Sequence, residues 1–524
     1  MKHGPGGAAP VASGLAPLSG EEDASPLEPM VAEAEAQAAG DGHDDAAGPS
    51  GAAVVQRQLP WRDRLVPVIV AFPMFLQNLD TSVMATALPS IADSLRVVPL
   101  HLNLAITSYL LSLAVFLPIS GWCAERFGAR RVFCSAIAFF SLGSALCGAA
   151  TSLEQLVIFR VVQGLGGALM VPTGRLILLR TVPKALMVSA MVWFTVPPVI
   201  GRMAGPLFGG AIVTWTSWRW IFLVNVPFGL LGILLALTFV KDKGGRPGSA
   251  RMPRFDVEGF VLLAVALTGL LGALELFGKG MVPPWFVVLL AAVGGTSLAA
   301  YVSRSRGKAE PVIDLRILRD SAFRASVVGG MPLRIAVGAS PFLLPLMLQL
   351  GFGFTAMESG TLTVATAVGA LLTRMILSFL VRKLPFRTLL VASTVCVSLC
   401  YASYGLFTPT MPRALMFGML MVGGLINSIA LVSLGSMGYS TIPKPRMSHA
   451  TALSTMGQQL SISLGVVYAA SLVTATAWWH GSDAAHLAQR DFHVAFFAIG
   501  ATTLLSLLSF ARLDRNEGSD LRGA

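Results

Sequence analysis

Charge is what this sequence has least of. Asp, Glu, Lys and Arg make up 12% of its 524 residues, where a soluble domain carries roughly a quarter. Cysteine is scarce as well. Its five copies, Cys123, Cys134, Cys147, Cys396 and Cys400, fall in or beside apolar stretches and do not cluster with histidine. They read as small apolar packing residues, and no metal or cofactor is expected. The Gly-Lys-Ser/Thr run of a phosphate-binding loop is missing too, since "FGKGM" and "RGKAE" both lack the hydroxyl residue. A pump driven by ATP hydrolysis within this chain is therefore not expected, and no covalent chemistry points to an enzyme.

What is present is apolar. Hydrophobic residues make up 54% of the chain and the mean hydropathy is +0.71, the composition of a membrane protein. A spanning helix needs about 20 predominantly apolar residues, and about fourteen such stretches can be found. They lie near 65–89, 101–122, 131–150, 155–180, 186–214, 219–240, 256–277, 284–303, 322–350, 357–381, 387–407, 411–440, 446–478 and 491–512. Runs such as "VLLAVALTGLLGAL" and "FFAIGATTLLSLLSF" satisfy their backbone groups in lipid only as helix, which excludes a β-barrel. Residues 1–64 differ, being rich in Ala, Gly, Pro and acids, and read as a disordered tail. No charged segment followed by an apolar core marks a cleaved signal, so the first helix is expected to direct insertion.

Basic residues orient the chain. With the N-terminus inside, about 28 of the 38 Lys and Arg fall in cytoplasmic tails and loops, and about 5 in external ones. Both termini, including 513–524, are therefore expected in the cytoplasm of a plasma or inner membrane. The loops "KDKGGRPGSARMPR" (241–254) and "SRSRGKAEPVIDLRILR" (303–319) account for much of the +11 net charge as segments facing anionic lipid. A nucleic-acid partner is not needed to explain it.

Two polar turns repeat. "RTVPKALMVSA" (180–190) returns as "STIPKPRMSHA" (440–450), 260 residues later, and "ERFGARRVF" (125–133) is echoed by "VRKLPFRTL" (381–389) at an offset of 256. Either offset spans eight helices. The chain thus divides into six-helix bundles at 65–240 and 322–512, with an inserted helix pair and its cytoplasmic loops at 241–321. Parallel repeats of this kind are the layout of one large transporter class.

Four motifs in order carry a resemblance over about residues 60 to 512. They are "LDTSVMATALPSIA" (79–92), "GWCAERFGARR" (121–131), "FRVVQGLGGALMVP" (159–172) and "GRMAGPLFGG" (201–210), joined by "WRWIFLVNVPFG" (218–229). The chain resembles the major facilitator superfamily, and within it the fourteen-helix drug:proton antiporters. In the loop motif, Gly121 and Gly128 frame a turn whose basic residues Arg126, Arg130 and Arg131 hold the cytoplasmic side. The resemblance implies that Glu125 contacts a neighbouring helix end and helps to hold the outward-facing state. Glu at that place, together with Cys123 and Ala129, departs from the family pattern. Gly201, Gly205 and Gly209 recur every four residues on one helix face, beside Pro206 and Gly210. Such a narrow face is either an ordinary tight contact or, as the resemblance implies, the contact between bundles that limits leakage.

Ionisable residues inside spans are costly and point to function. Asp80 lies about 14 Å from the outer end of the first span and Arg160 about 8 Å below that of the fourth, depths that allow pairing. The pair is either a proton-coupling site or a static ion pair. Asn78, Gln163 and Asn427 either line a substrate cavity or join helices. Arg334 and Arg374 either meet substrate or another helix, or snorkel. Glu275 and Glu358, near span ends, read as structural, and Arg202 is an unexpected charge in the antiporter motif. The function expected is proton-coupled export of small amphipathic or hydrophobic compounds through a cavity at the bilayer midplane. A dedicated exporter or importer of one metabolite, or a membrane sensor without turnover, is the alternative. The sequence does not speak to a periplasmic adaptor.

The topology has a direct test. A cysteine placed within 241–245 should resist an impermeant external thiol reagent and one at Ser482 should react; the reverse labelling would invert the orientation.

Overall fold

The structure is a computed structural model, and it describes residues 61–182, 187–240, 255–277, 282–308, 311–443, 446–480, 487 and 489–513. The predicted tail up to residue 60, the loop 241–254, the last eleven residues and parts of both repeated turns lie outside the described residues. Among the described residues all regular structure is helical.

The membrane helices are α1 (Trp61–Leu95), α2 (Asn103–Phe116), α3 (Ala129–Ala149), α4 (Leu153–Thr181), α5 (Met187–Trp215), α6 (Asn225–Phe239) and α7 (Val257–Leu276). They continue as α8 (Pro284–Gly307), α9 (Met331–Leu346), α10 (Ala356–Lys383), α11 (Phe386–Tyr404), α12 (Arg413–Ser440), α13 (Met447–Trp479) and α14 (Gln489–Leu504). Among the described residues thirteen helical segments are long and apolar enough to cross a membrane. The remaining predicted stretch, 357–381, falls within α10, whose 28 residues reach about 42 Å at 1.5 Å per residue.

Local sequence sets where these helices begin and bend. Ser152 caps α4 by accepting the Gln155 N–H, and Thr355 with Glu358 forms a capping box at the start of α10. Glu358 also pairs with Arg413 at 2.6 Å, which gives it the structural role expected. The predicted stretch 101–122 breaks at Pro118, which has no N–H to bond the Ala114 carbonyl, and resumes as Ile119–Phe127. The stretch 322–350 is likewise not one regular helix, because π turns at Ala325–Gly329 and Met347–Gly351 flank α9.

Packing repeats with a shift of eight helices. In the first set α1 packs on α5, α4 and α6, α2 on α4, and α3 on α4 and α6. In the second, α9 packs on α13 and α14, α10 on α12, and α11 on α12 and α14. The two seams between the sets obey the same shift: α5 meets α10, and α2 meets α13. Helices α7 and α8 pack mainly on each other, and α7 touches α2 and α13, so the pair lies over that second seam. Asp256 ties their loop ends together. It accepts the Gly259 N–H at 3.0 Å and pairs with Lys308 at 2.6 Å, while Glu258 pairs with Arg304. Trp122 lies tilted against Phe255, with ring centroids 5.4 Å apart, and carries that end onto the helical segment Ile119–Phe127.

The glycine stripe of α5 has a definite partner. Side chains at Gly201, Gly205 and Gly209 would run into Phe75, Ser82 and Val83, all on α1. The resemblance implied that this stripe joins the two bundles; the structure instead turns it onto α1 within the first set. Contact with α10 is made by the neighbouring face of α5, where Gly210 abuts Ala356 and Met357 and Pro206 abuts Gly360. The physical reason is angular: at 100° per residue, positions four apart share one face, while Pro206 and Gly210 sit about a quarter-turn away.

Gly205→Leu should therefore wedge α1 from α5 at Ser82. Overpacking of this kind costs about 1–3 kcal/mol, so the purified variant should melt earlier and lose exchange while its membrane abundance stays normal. Wild-type melting together with wild-type exchange would show that the stripe is not a critical contact.

Candidate functional site

The apolar interior of the first helix set holds a cluster of polar side chains. Asp80 on α1 is 3% exposed and Arg160 on α4 is fully buried. Burying either ion alone would cost several kcal/mol, so each must find partners in the protein. Arg160 Nη1 donates to Asp80 Oδ2 at 2.6 Å and to Gln163 Oε1 at 2.8 Å, and its Nε donates to the Ala105 carbonyl at 3.2 Å. The guanidinium also lies over the Tyr109 ring, 4.2 Å from its centroid.

The second carboxylate oxygen is served by amides. Asp80 Oδ1 accepts from Gln163 Nε2 at 3.0 Å and from Asn225 Nδ2 at 3.2 Å. Ser144 Oγ on α3 accepts from the same two amides, at 3.3 and 3.0 Å, and donates to the Phe222 carbonyl at 2.9 Å. Gln163 follows Arg160 by three residues, which places both on one face of α4. Every contact to Asp80 is a donor, the complement of an ionised carboxylate.

The structure thus brings together Asp80, Arg160 and Gln163 from the sequence candidates. Asn225, Ser144 and Tyr109 were not singled out. Asn225 had a readable signal, an amide within the apolar run "WRWIFLVNVPFG". Serine and tyrosine are too common in membrane helices to stand out.

The other candidates lie apart. Asn78 accepts from Arg202 Nη2 at 2.9 Å and donates to the Met74 carbonyl at 2.9 Å. The unexpected charge in the antiporter motif is thereby held on α1, and among the described residues it has no carboxylate partner. Arg334, 5% exposed, reaches back to the carbonyls of Ser326 at 2.7 Å and Val327 at 3.4 Å. Those carbonyls belong to the π turn before α9, next to Pro332, which lacks an N–H. Asn427 donates to the Tyr401 hydroxyl at 3.2 Å. The side chain of Arg374 is outside the described residues, and Glu275 is buried near the end of α7.

In the loop after α2, Gly128 has φ 90°, a conformation few other residues adopt. Arg130 donates to the Leu237 carbonyl at the end of α6. Gly121, Arg126 and Arg131 are exposed. Glu125 is exposed as well, and among the described residues no hydrogen bond or ion pair is made by it. No group of His, Cys, Asp and Glu among the described residues could hold a metal.

Two helix sets related by a shift of eight, with a charge pair buried inside one of them, define an integral membrane protein built as a secondary transporter. The sequence profile of the Major Facilitator Superfamily matches residues 70–466 and 329–522. The chain belongs to that superfamily. It is 36% identical over 458 residues to a protein of Klebsiella pneumoniae subsp. pneumoniae named as a multidrug resistance protein, MdtD, covering 86% of this chain and 95% of that one. A Pectobacterium atrosepticum protein of the same name is 38% identical over 405 residues, covering 77% and 86%. Among solved structures, the POT family transporter PepTSo superposes with a TM-score of 0.62 at 14% identity, covering 87% of this chain and 100% of that one. A D-xylose-proton symporter gives 0.56 at 14% identity, covering 86% and 98%. These two likenesses speak for the fold.

Removing one partner of the buried pair leaves an uncompensated charge, which typically costs about 3–5 kcal/mol. Arg160→Met should accordingly lower the melting temperature of the purified protein far more than Arg160→Lys, which keeps the charge. Equal melting of the two variants would show that the ion pair does not hold the bundle together.

Proposed function

We propose that this chain exports small amphipathic or hydrophobic compounds in exchange for protons, a multidrug efflux antiport, by rocking its two helix sets about a midplane cavity. The observation that carries the proton half is the buried Asp80–Arg160 pair at 2.6 Å, with two amides on the remaining carboxylate oxygen. A carboxylate on α1 whose three donors come from two other helices, α4 and α6, loses or gains partners whenever those helices shift. Its proton affinity therefore depends on conformation, which is what coupling requires. The substrate half draws on the relatives named for multidrug resistance.

In the proposed cycle Asp80 releases its proton toward the cytoplasm as substrate binds, and is reprotonated from outside as substrate leaves. Asn78, Arg334 and Asn427 are proposed to border the substrate path, and Gln163 to serve the coupling cluster. The bundles 65–240 and 322–512 are the moving parts and α7 with α8 an addition to them. Both termini face the cytoplasm of an inner or plasma membrane. The partners are lipid, protons and small molecules, with no nucleic acid, no cofactor and no covalent chemistry.

Asp80→Asn tests this reading, because the amide matches the protonated acid in size and cannot exchange a proton. Reconstituted vesicles carrying the variant should lose uphill substrate movement driven by an imposed pH gradient, at normal protein abundance. If such vesicles still concentrate substrate from a pH gradient alone, Asp80 is not the coupling carboxylate.

A further inference from the structure

Asn225 stands in a one-sided position. Its Nδ2 makes two hydrogen bonds, to Asp80 Oδ1 at 3.2 Å and to Ser144 Oγ at 3.0 Å. Its Oδ1 is buried and accepts none. The orientation of the amide follows from the network. Ser144 spends its single proton on the Phe222 carbonyl at 2.9 Å, so its oxygen must accept from Asn225. An ionised Asp80 must accept as well. The opposite amide orientation would set oxygen against oxygen at both places.

That geometry suits one charge state only. When Asp80 takes up a proton, its Oδ1 becomes an O–H that needs an acceptor, while all its neighbours present donors. Gln163 cannot turn to offer one, because its Oε1 is held by Arg160 at 2.8 Å. Asn225 can, since its oxygen is uncommitted. We propose that Asn225 reads the protonation state of Asp80: the amide turns about its terminal bond, its Oδ1 accepts the new O–H, and the Ser144 hydroxyl swings from the Phe222 carbonyl to meet it. The proton stays on Asp80 throughout and no covalent bond changes. Phe222 lies in the short turn Trp220–Leu223 that leads into α6. Releasing its carbonyl loosens α6 from α3, so that protonation is felt as a change in helix contact. Asn225 is thus a positioning residue of the coupling cluster, and its role rests on the reading that Asp80 carries the coupled proton.

The other groups around Asp80 do not compete for this part. Arg160 on α4 is the counter-charge, Tyr109 on α2 lies over the guanidinium, and the Cys147 thiol on α3 points at Gln163 Oε1 from 3.8 Å. Arg202 on α5 is engaged by Asn78, Arg219 before α6 bonds Ser94 and the Ala150 carbonyl, Arg334 on α9 is held by the Ser326 carbonyl, and Glu358 on α10 pairs with Arg413.

Infrared difference spectra between acid and alkaline pH decide the matter on purified full-length protein, with its asparagine side-chain carbonyls isotope-labelled. A labelled asparagine carbonyl band should titrate together with a carboxylic acid band. Asp80→Asn should abolish both bands, and Asn225→Leu the asparagine band alone. Should that variant fail to fold, the wild-type and Asp80→Asn spectra still decide, with Ser144→Ala expected to displace the asparagine band. A carboxyl band that depends on Asp80, with no accompanying asparagine band, overturns the proposal and leaves the coupling reading standing. Absence of any Asp80-dependent carboxyl band overturns both.

Discussion

The burial of a guanidinium and a carboxylate among apolar helices is the constraint on which the first helix set depends. Taking two ions out of water costs several kcal/mol each, and their attraction offsets this only when the remaining donors and acceptors are also satisfied. Arg160 and Asp80 meet that condition by drawing on α1, α2, α3, α4 and α6. One hydrogen-bonded cluster thereby joins five helices. The same arrangement is poorly matched to a protonated Asp80, because every neighbour points a donor at it.

Around this cluster the packing follows the rule for helices in lipid. Hydrocarbon chains are as apolar as leucine, so close approach through small residues supplies what the hydrophobic effect supplies in water. Gly201, Gly205 and Gly209 let α5 lie against α1, and Gly210 and Gly360 let it cross α10. The two seams between the helix sets are finished differently. α7 covers the α2–α13 seam, while the α5–α10 seam opens beyond its glycine contact into an apolar cleft of about 300 Å³ lined by Val196, Ile200, Met203, Val364 and Leu371.

The fold class was legible in the sequence because lipid leaves few choices. Apolar runs of spanning length must be helical, and the repeated turns at an offset of 260 residues announced two similar sets. Asp80 and Arg160 were legible for the same reason, since an ion inside a span stands out against its surroundings. Gln163 was noticed but its partners were not, because helical spacing shows which residues share a face and says nothing of what that face meets.

Composition and pattern by themselves determined the helical membrane class, the approximate spans, the family resemblance and two buried ions at depths that allow pairing. Only the tertiary structure decided who meets whom. It turned the glycine stripe toward α1, engaged Arg202 with Asn78, and placed Asn225 and Ser144 beside a carboxylate 145 and 64 residues away in the chain. The difference is physical. Partition between water and lipid acts on each segment separately and can be read along the chain, whereas a buried hydrogen-bond network exists only once distant helices have packed.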